Sequence, residues 1–123
     1  MDILAHNPNS GTTRRVEVKT TRAKPARARL FGSELFFSWT LSAKHEVEPG
    51  NDLLFAFVHL AGPGVQPKVF IVPGQIVARY VKYEHQRWLD EPTPVPHKDN
   101  AVREFRIAVS DPDGYSANWE LFV

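Results

Sequence analysis

The sequence predicts an α/β domain with a central mixed β-sheet of about five strands flanked by helices. Short runs rich in aromatic and β-branched residues, separated by turn formers, occupy most of the first 72 positions and are typical of strands. From position 73 onward, apolar residues recur at helical spacing instead. The 123 residues, 42% hydrophobic and 24% charged, fit one domain spanning 1–123.

Five strands are predicted in the first part of the chain. Ranges 2–6 and 14–20 flank the segment NPNSG, whose Pro, Asn and Gly favour a turn. Ranges 35–42 (LFFSWTLS) and 52–60 (DLLFAFVHL) flank the turn segment EPGN, and 68–72 (KVFIV) follows the loop AGPGVQP. We expect these five strands to form one sheet.

An amphipathic helix is predicted over 73–89. Pro73 suits a first helical turn, and the proline-rich segment EPTPVP ends the helix near Leu89. Further along, 103–107 (REFRI) predicts a short strand, and Trp119 anchors a final turn or two of helix. The helical spacing in 73–89 is carried by Ile76, Val77, Tyr80, Val81, Glu84 and Trp88.

The chain has no cysteine, which excludes disulfides and thiolate metal sites and is consistent with a reducing cytoplasm. The longest uninterrupted apolar run, LLFAFV, is far too short to span a bilayer. Nothing in the sequence marks secretion or membrane insertion, and we therefore expect a cytoplasmic protein.

Positive charge is concentrated in the first third of the chain. Positions 1–44 carry a net charge of +5, whereas the remainder carries −4. Such a distribution can attract the phosphate groups of a nucleic acid. The alternative is a solvated basic loop. The candidate phosphate contacts are Arg14, Arg15, Arg22, Lys24, Arg27, Arg29 and Lys44.

The first two predicted strands form an antiparallel hairpin if its tip lies between Asn9 and Ser10. Opposed residue numbers then sum to 19, so that Asp2 faces Glu17 and shares its side of the sheet with Lys19. Ile3, Val16 and Val18 take the other side. A slip of one residue would move Asp2 to that other side.

Two opposed carboxylates are unfavourable unless a cation lies between them. Mg²⁺ is commonly held by one or two carboxylates with waters and phosphate oxygens. Asp2, Glu17 and the Val18 carbonyl could supply ligands, and Lys19 could hold or help deprotonate an attacking water. The alternative is an exposed strand whose charges merely pair. Lys44, His45 and Glu46 either lie near these carboxylates or form a solvated turn.

Asp2 followed by Glu17-Val18-Lys19 resembles the D…ExK signature of the PD-(D/E)xK nuclease superfamily. The segments VEVKTT, WTLSAKHE, DLLFAFVHLAGPG, VFIVPGQIVARYVKYEHQRWL and the closing WEL are similar to uncharacterised bacterial proteins placed in that superfamily. The resemblance implies a restriction-endonuclease-like fold and Mg²⁺- or Mn²⁺-dependent hydrolysis of DNA. It implies that Asp2, Glu17 and Lys19 are catalytic and that Val18 offers its carbonyl to the metal.

Members of the superfamily usually begin with a helix and a strand before the metal-binding Asp, whereas Asp2 directly follows Met1. We therefore expect an N-terminally incomplete domain with an uncovered apolar sheet face, supplied by Ile3, Val16, Val18 and Phe55 or Phe57. A homodimer would bury that face. The alternative to an active nuclease is a catalytically silent relative that binds nucleic acid or self-associates.

Overall fold

Two β-sheets and one α-helix make up the part of the chain that the computed structural model describes, residues 2–27 and 33–122. Every predicted strand, and the predicted helix, is present within one residue of its expected bounds. The elements in chain order are β1 Asp2–His6, β2 Thr13–Thr21, β3 Ala26–Arg27, β4 Leu35–Ser42, a first 3₁₀-helix Ala43–Glu46, β5 Leu53–His59, β6 Lys68–Pro73, α1 Gly74–Leu89, β7 Val102–Ala108 and a C-terminal 3₁₀-helix Trp119–Phe122.

The larger sheet has four strands in the order β1-β2-β5-β6 and is mixed. β1 and β2 are antiparallel, β2 and β5 are parallel, and β5 and β6 are antiparallel. The predicted hairpin register is confirmed, because Asp2 pairs with Glu17 and Ile3 with Val16. The Asn7 side chain accepts hydrogen bonds from two backbone N–H groups of the turn that joins β1 to β2.

The remaining strands form a separate antiparallel sheet in the order β3-β4-β7, so the expectation of one five-stranded sheet is wrong. The reason lies in the burial of the two aromatic strands. In β5, consecutive residues Leu54 to Phe57 are all buried, as a central strand requires. In β4 the polar residues Ser38 and Thr40 alternate with buried Trp39 and Leu41, a pattern that suits a layer packed on one side.

The main core lies between the two sheets and is rich in aromatic rings. Trp39 of β4 and Phe57 of β5 are at most 2% exposed, with ring centroids 5.0 Å apart, and Phe105 of β7 stacks on Phe57 at 4.7 Å. Full burial of such a side chain contributes roughly 1.5–3 kcal/mol. The Trp39 indole also donates a hydrogen bond of 3.0 Å to the carbonyl of Val58 in β5, which ties the sheets together.

Helix α1 closes one end of this core with Val77 and Val81. It is the one α-helix among the described residues, so the expected set of flanking helices is reduced to one. A Cβ on its first residue, Gly74, would lie 2.9 Å from the carbonyl oxygen of Leu53 and 2.8 Å from Cγ of Pro49. Only glycine therefore allows this close approach of the helix to the start of β5.

The opposite face of the four-stranded sheet carries a smaller core. Val16 and Ile71 are 5% and 0% exposed, and they pack with Leu121 and Phe122 of the C-terminal 3₁₀-helix and its neighbours. The expectation that Val16 lies on an uncovered face is therefore wrong, because the C-terminal 3₁₀-helix contributes cover.

The expected grouping of Phe55 or Phe57 with Val16 is also wrong. The parallel register places Glu17 beside Phe55 and Lys19 beside Phe57, so both phenylalanines lie on the Glu17 side of the sheet and enter the main core. In the described part of the chain, no helix combines the length and hydrophobicity needed to cross a membrane.

Candidate functional site

Asp2 and Glu17 are brought together by the hairpin that precedes the rest of the sheet. They are direct partners in the ladder between β1 and β2, and both line a pocket of about 260 Å³. The pocket lies where β5, α1 and the first 3₁₀-helix meet. Its other lining residues are Lys44, His45, Val47, Pro49, Leu53, Phe55 and Gly74.

The Glu17 carboxylate has two cationic or polar neighbours, and both contact the same oxygen. Nζ of Lys19 lies 3.4 Å from Oε1 of Glu17, and Nε2 of His45 lies 3.1 Å from that oxygen. The first contact exists because residues two apart in a strand share a face. The second joins residues 28 positions apart and depends on the tertiary fold.

These contacts affect the acidity of Glu17. Partial burial raises the pKa of its carboxyl group, but hydrogen bonds and electrostatic attraction from His45 and Lys19 outweigh that effect, so that the pKa lies below its ordinary value. Glu17 is therefore ionised at neutral pH, as a metal ligand must be.

His45 is placed by the first 3₁₀-helix, which begins directly after β4. Ser42 is the N-cap, and its backbone N–H donates to Nδ1 of His45 at 3.1 Å. The His45 side chain is 6% exposed, and its ring meets the Phe55 ring edge-on with centroids 5.8 Å apart. Of the two sequence interpretations for 44–46, the one that brings them near the carboxylates is confirmed for Lys44 and His45.

The third residue of that segment lies elsewhere. Glu46 forms an ion pair with Arg103 of β7 and is not among the residues that line the pocket. The segment Ser-Ala-Lys-His contains the one signal that could have located His45, since a side chain three residues after an N-cap often bonds back to the cap. That signal predicts the capping contact but not the contact with Glu17.

The donor set matches a hard divalent cation in type. Asp2 and Glu17 offer carboxylates to one pocket, and Val18 follows Glu17 in β2 opposite Ala56 of β5. Residues 2–27 and 33–122 contain no cluster of three His, Asp or Glu side chains arranged to hold a metal ion. A cation at Asp2 and Glu17 would thus take its further ligands from backbone or solvent oxygens, as Mg²⁺ commonly does.

The candidate phosphate contacts do not all lie on one side. Lys44 is exposed beside the pocket, and Arg15 shares the side of Glu17 because two positions separate them in β2. Arg14 points to the opposite side, where its Nε donates to the Leu121 carbonyl at 3.4 Å. Arg29 lies outside the described residues. Three further candidates are exposed and lie in or beside the segment that joins β2 to β3, namely Arg22, Lys24 and Arg27.

No family model matches this sequence, and no curated protein or solved structure matches it significantly. The resemblance to PD-(D/E)xK nucleases therefore stays a prediction from motifs, and the geometry of the pocket is the basis for a functional proposal.

Proposed function

We propose that this protein hydrolyses phosphodiester bonds of DNA with Mg²⁺ or Mn²⁺, and that its fold is a variant of the restriction-endonuclease-like fold. One observation carries the proposal. Asp2 and Glu17 are opposed in adjacent strands and line the same pocket, and the Lys19 ammonium lies 3.4 Å from Glu17. Two carboxylates and a lysine on one sheet face are the groups that metal-assisted phosphodiester hydrolysis needs.

The roles follow from the chemistry of these groups. Asp2, Glu17 and the Val18 carbonyl would hold the cation, which would supply stabilisation of negative charge on the phosphate and the leaving oxygen. Lys19 orients the attacking water from its place beside Glu17. Lys44, at the rim of the pocket, binds a phosphate oxygen of the DNA strand as a point charge.

A DNA cleavage assay tests the proposal. Supercoiled plasmid should be nicked or linearised in Mg²⁺ or Mn²⁺ and left intact in EDTA. Glu17→Gln, Asp2→Asn and Lys19→Met should each lower the rate at least about 100-fold, because each removes a ligand or a group at the reacting water. Glu48→Gln, at an exposed glutamate paired with Arg79, is the control and should cleave at the wild-type rate.

A second candidate, a catalytically silent relative that binds nucleic acid, is favoured by one observation. The charge on Oε1 of Glu17 is already compensated by the Lys19 ammonium, and His45 adds a hydrogen bond, so a metal cation is not needed to stabilise this partly buried carboxylate. DNA binding by the wild-type protein without cleavage in any divalent cation would support this candidate and contradict the nuclease.

We also propose that the protein is a cytoplasmic homodimer. Its lack of cysteine fits a reducing compartment. β1 is an edge strand of the described four-stranded sheet and exposes Ile3 at 46% and Leu4 at 73%, which is the kind of edge that pairs with another chain. Antiparallel self-pairing centred on Leu4 would place Asp2 of one copy opposite His6 of the other.

A further inference from the structure

The two carboxylate oxygens of Glu17 differ in their contacts. Lys19 and His45 both bind Oε1, whereas Oε2 makes no hydrogen bond or ion pair with the described residues. The Glu17 side chain is only 18% exposed. Its orientation is therefore set by the two groups that hold Oε1.

The proton on Nε2 of His45 follows from its contact with Glu17. The ionised carboxylate can only accept, so Nε2, which lies 3.1 Å from Oε1, donates. On the other side of the ring, Nδ1 lies 3.1 Å from the backbone nitrogen of Ser42 and 3.2 Å from its carbonyl oxygen, and these contacts hold the ring at the N-cap. His45 is therefore a hydrogen-bond donor to Glu17.

Of the two donors, His45 is the more restrained. Its side chain is 6% exposed, compared with 26% for Lys19, and its ring is held on the other side by Phe55. A lysine ammonium on a flexible chain can follow a moving carboxylate, whereas a buried imidazole with both nitrogens bonded cannot. The orientation of Glu17 therefore depends chiefly on His45.

We propose that His45 is a positioning residue that fixes Glu17 through Oε1 and leaves Oε2 as the carboxylate oxygen for a divalent cation. This inference rests on the proposed function, because it assigns a role in the same site. It adds a residue outside the D…ExK pattern, contributed by a different sheet through the 3₁₀-helix that follows β4.

Calorimetric titration with Mn²⁺ tests the metal part of the inference. His45→Gln keeps an N–H near the position of Nε2 and should bind Mn²⁺ within about threefold of wild type, whereas His45→Leu should bind about 10–100-fold more weakly, the usual effect of losing a group that orients a ligand. His59→Leu is the matched control, since His59 is 6% exposed and its Nε2 donates to the Ala23 carbonyl instead. Thermal unfolding of each variant confirms that it is folded.

Nuclear magnetic resonance of the metal-free protein tests the positioning part separately. Long-range ¹H–¹⁵N spectra should show His45 protonated on Nε2, with its ¹⁵N shift changed by Glu17→Gln. The ¹³C shift of the Glu17 carboxylate should change in His45→Leu and stay near wild type in His45→Gln. An Nε2 without a proton, or an unchanged Glu17 shift in His45→Leu, would overturn the inference.

The two measurements separate the possible failures. Wild-type binding of Mn²⁺ that His45→Leu leaves unchanged would overturn the role of His45 and leave the proposed nuclease standing. No Mn²⁺ binding by the wild type would overturn the proposed function and, with it, the assignment of Oε2 to a cation.

Discussion

At the scale of single residues, the described structure leaves one buried side-chain group without a hydrogen bond, the hydroxyl of Tyr80. Tyr80 packs on Phe105 with ring centroids 4.6 Å apart. Burial, together with the negative charge of Glu84, raises the pKa of Tyr80 to about 12, although Arg106 nearby favours the ionised form. The ring of Tyr80 therefore stabilises the core by packing, whereas its hydroxyl contributes no hydrogen bond.

We expect Tyr80→Phe to raise the free energy of unfolding by about 1 kcal/mol, because an unpaired buried polar group costs roughly 1–3 kcal/mol. The same change should alter the response to alkali. The pKa of Tyr80 is about 12 in the folded state and about 10 in an unfolded chain. The wild-type free energy of unfolding therefore contains a contribution from keeping Tyr80 protonated. This contribution is complete below pH 10 and is lost as pH rises through 12, by on the order of 2 kcal/mol.

Urea unfolding of both proteins at several pH values between 8 and 12 measures the two effects. Comparison with Tyr80→Phe cancels the titration of the other tyrosines and lysines. A variant that is less stable than wild type at pH 8, or that loses as much stability as wild type above pH 10, would contradict this account of Tyr80.

At the scale of elements, the start of α1 shapes both the core and the pocket. Gly74 is buried against β5 and lines the pocket with Asp2 and Glu17. Here the limiting contacts are a backbone carbonyl and a proline ring, neither of which can move away as a flexible side chain would. The position of the helix is therefore sensitive to one methyl group.

Gly74→Ala should destabilise the protein by about 1–3 kcal/mol, the usual range for overpacking, and should weaken Mn²⁺ binding if the helix shifts into the pocket. Gly50→Ala is the control, because its Cβ would meet a side-chain oxygen of Asp52 at 3.1 Å, and that side chain can rotate. Equal stability of the two variants in thermal unfolding would show that α1 has room to adjust.

At the scale of the whole molecule, surface charge and exposed strand edges determine which partners the protein can bind. If the basic residues bind DNA, log K should fall with log salt concentration by about 0.9 per duplex phosphate neutralised. Replacing Arg22, Lys24 and Arg27 together by Gln should lower the slope by up to about 3. Fluorescence anisotropy over a salt series measures this.

The matched control for DNA binding is Lys82→Gln, at an exposed lysine on α1. It should leave both the affinity and the slope near the wild-type values. Binding that does not respond to salt, or a triple variant with the wild-type slope, would leave the segment after β2 as a solvated loop.

Self-association through β1 makes a separate prediction. Light scattering at micromolar concentration should give twice the chain mass for wild type and the chain mass for Leu4→Lys, because a lysine opposite its own copy repels across the paired edge. Val95→Lys is the control, since Val95 is 78% exposed but lies outside the sheets. A wild-type monomer, or a dimer that survives Leu4→Lys, would rule out this edge as the interface.

The sequence alone determined the elements and the β1–β2 register. NPNSG places the tip of the hairpin, and strict alternation in VEVK leaves one register that buries Val16. These are local features, in which a few residues decide the geometry of their neighbours. The same alternation placed Asp2, Glu17 and Lys19 on one face.

Only the tertiary structure decided how the strands divide between two sheets and which group meets Glu17. The assignment of β4 to the second sheet depends on its pairing with β7, whose residues are 60 to 72 positions away along the chain from their β4 partners. His45 reaches Glu17 because the 3₁₀-helix after β4 packs beside β2 and β5. Contacts between distant segments follow from how whole layers fill space, and no local pattern specifies that packing.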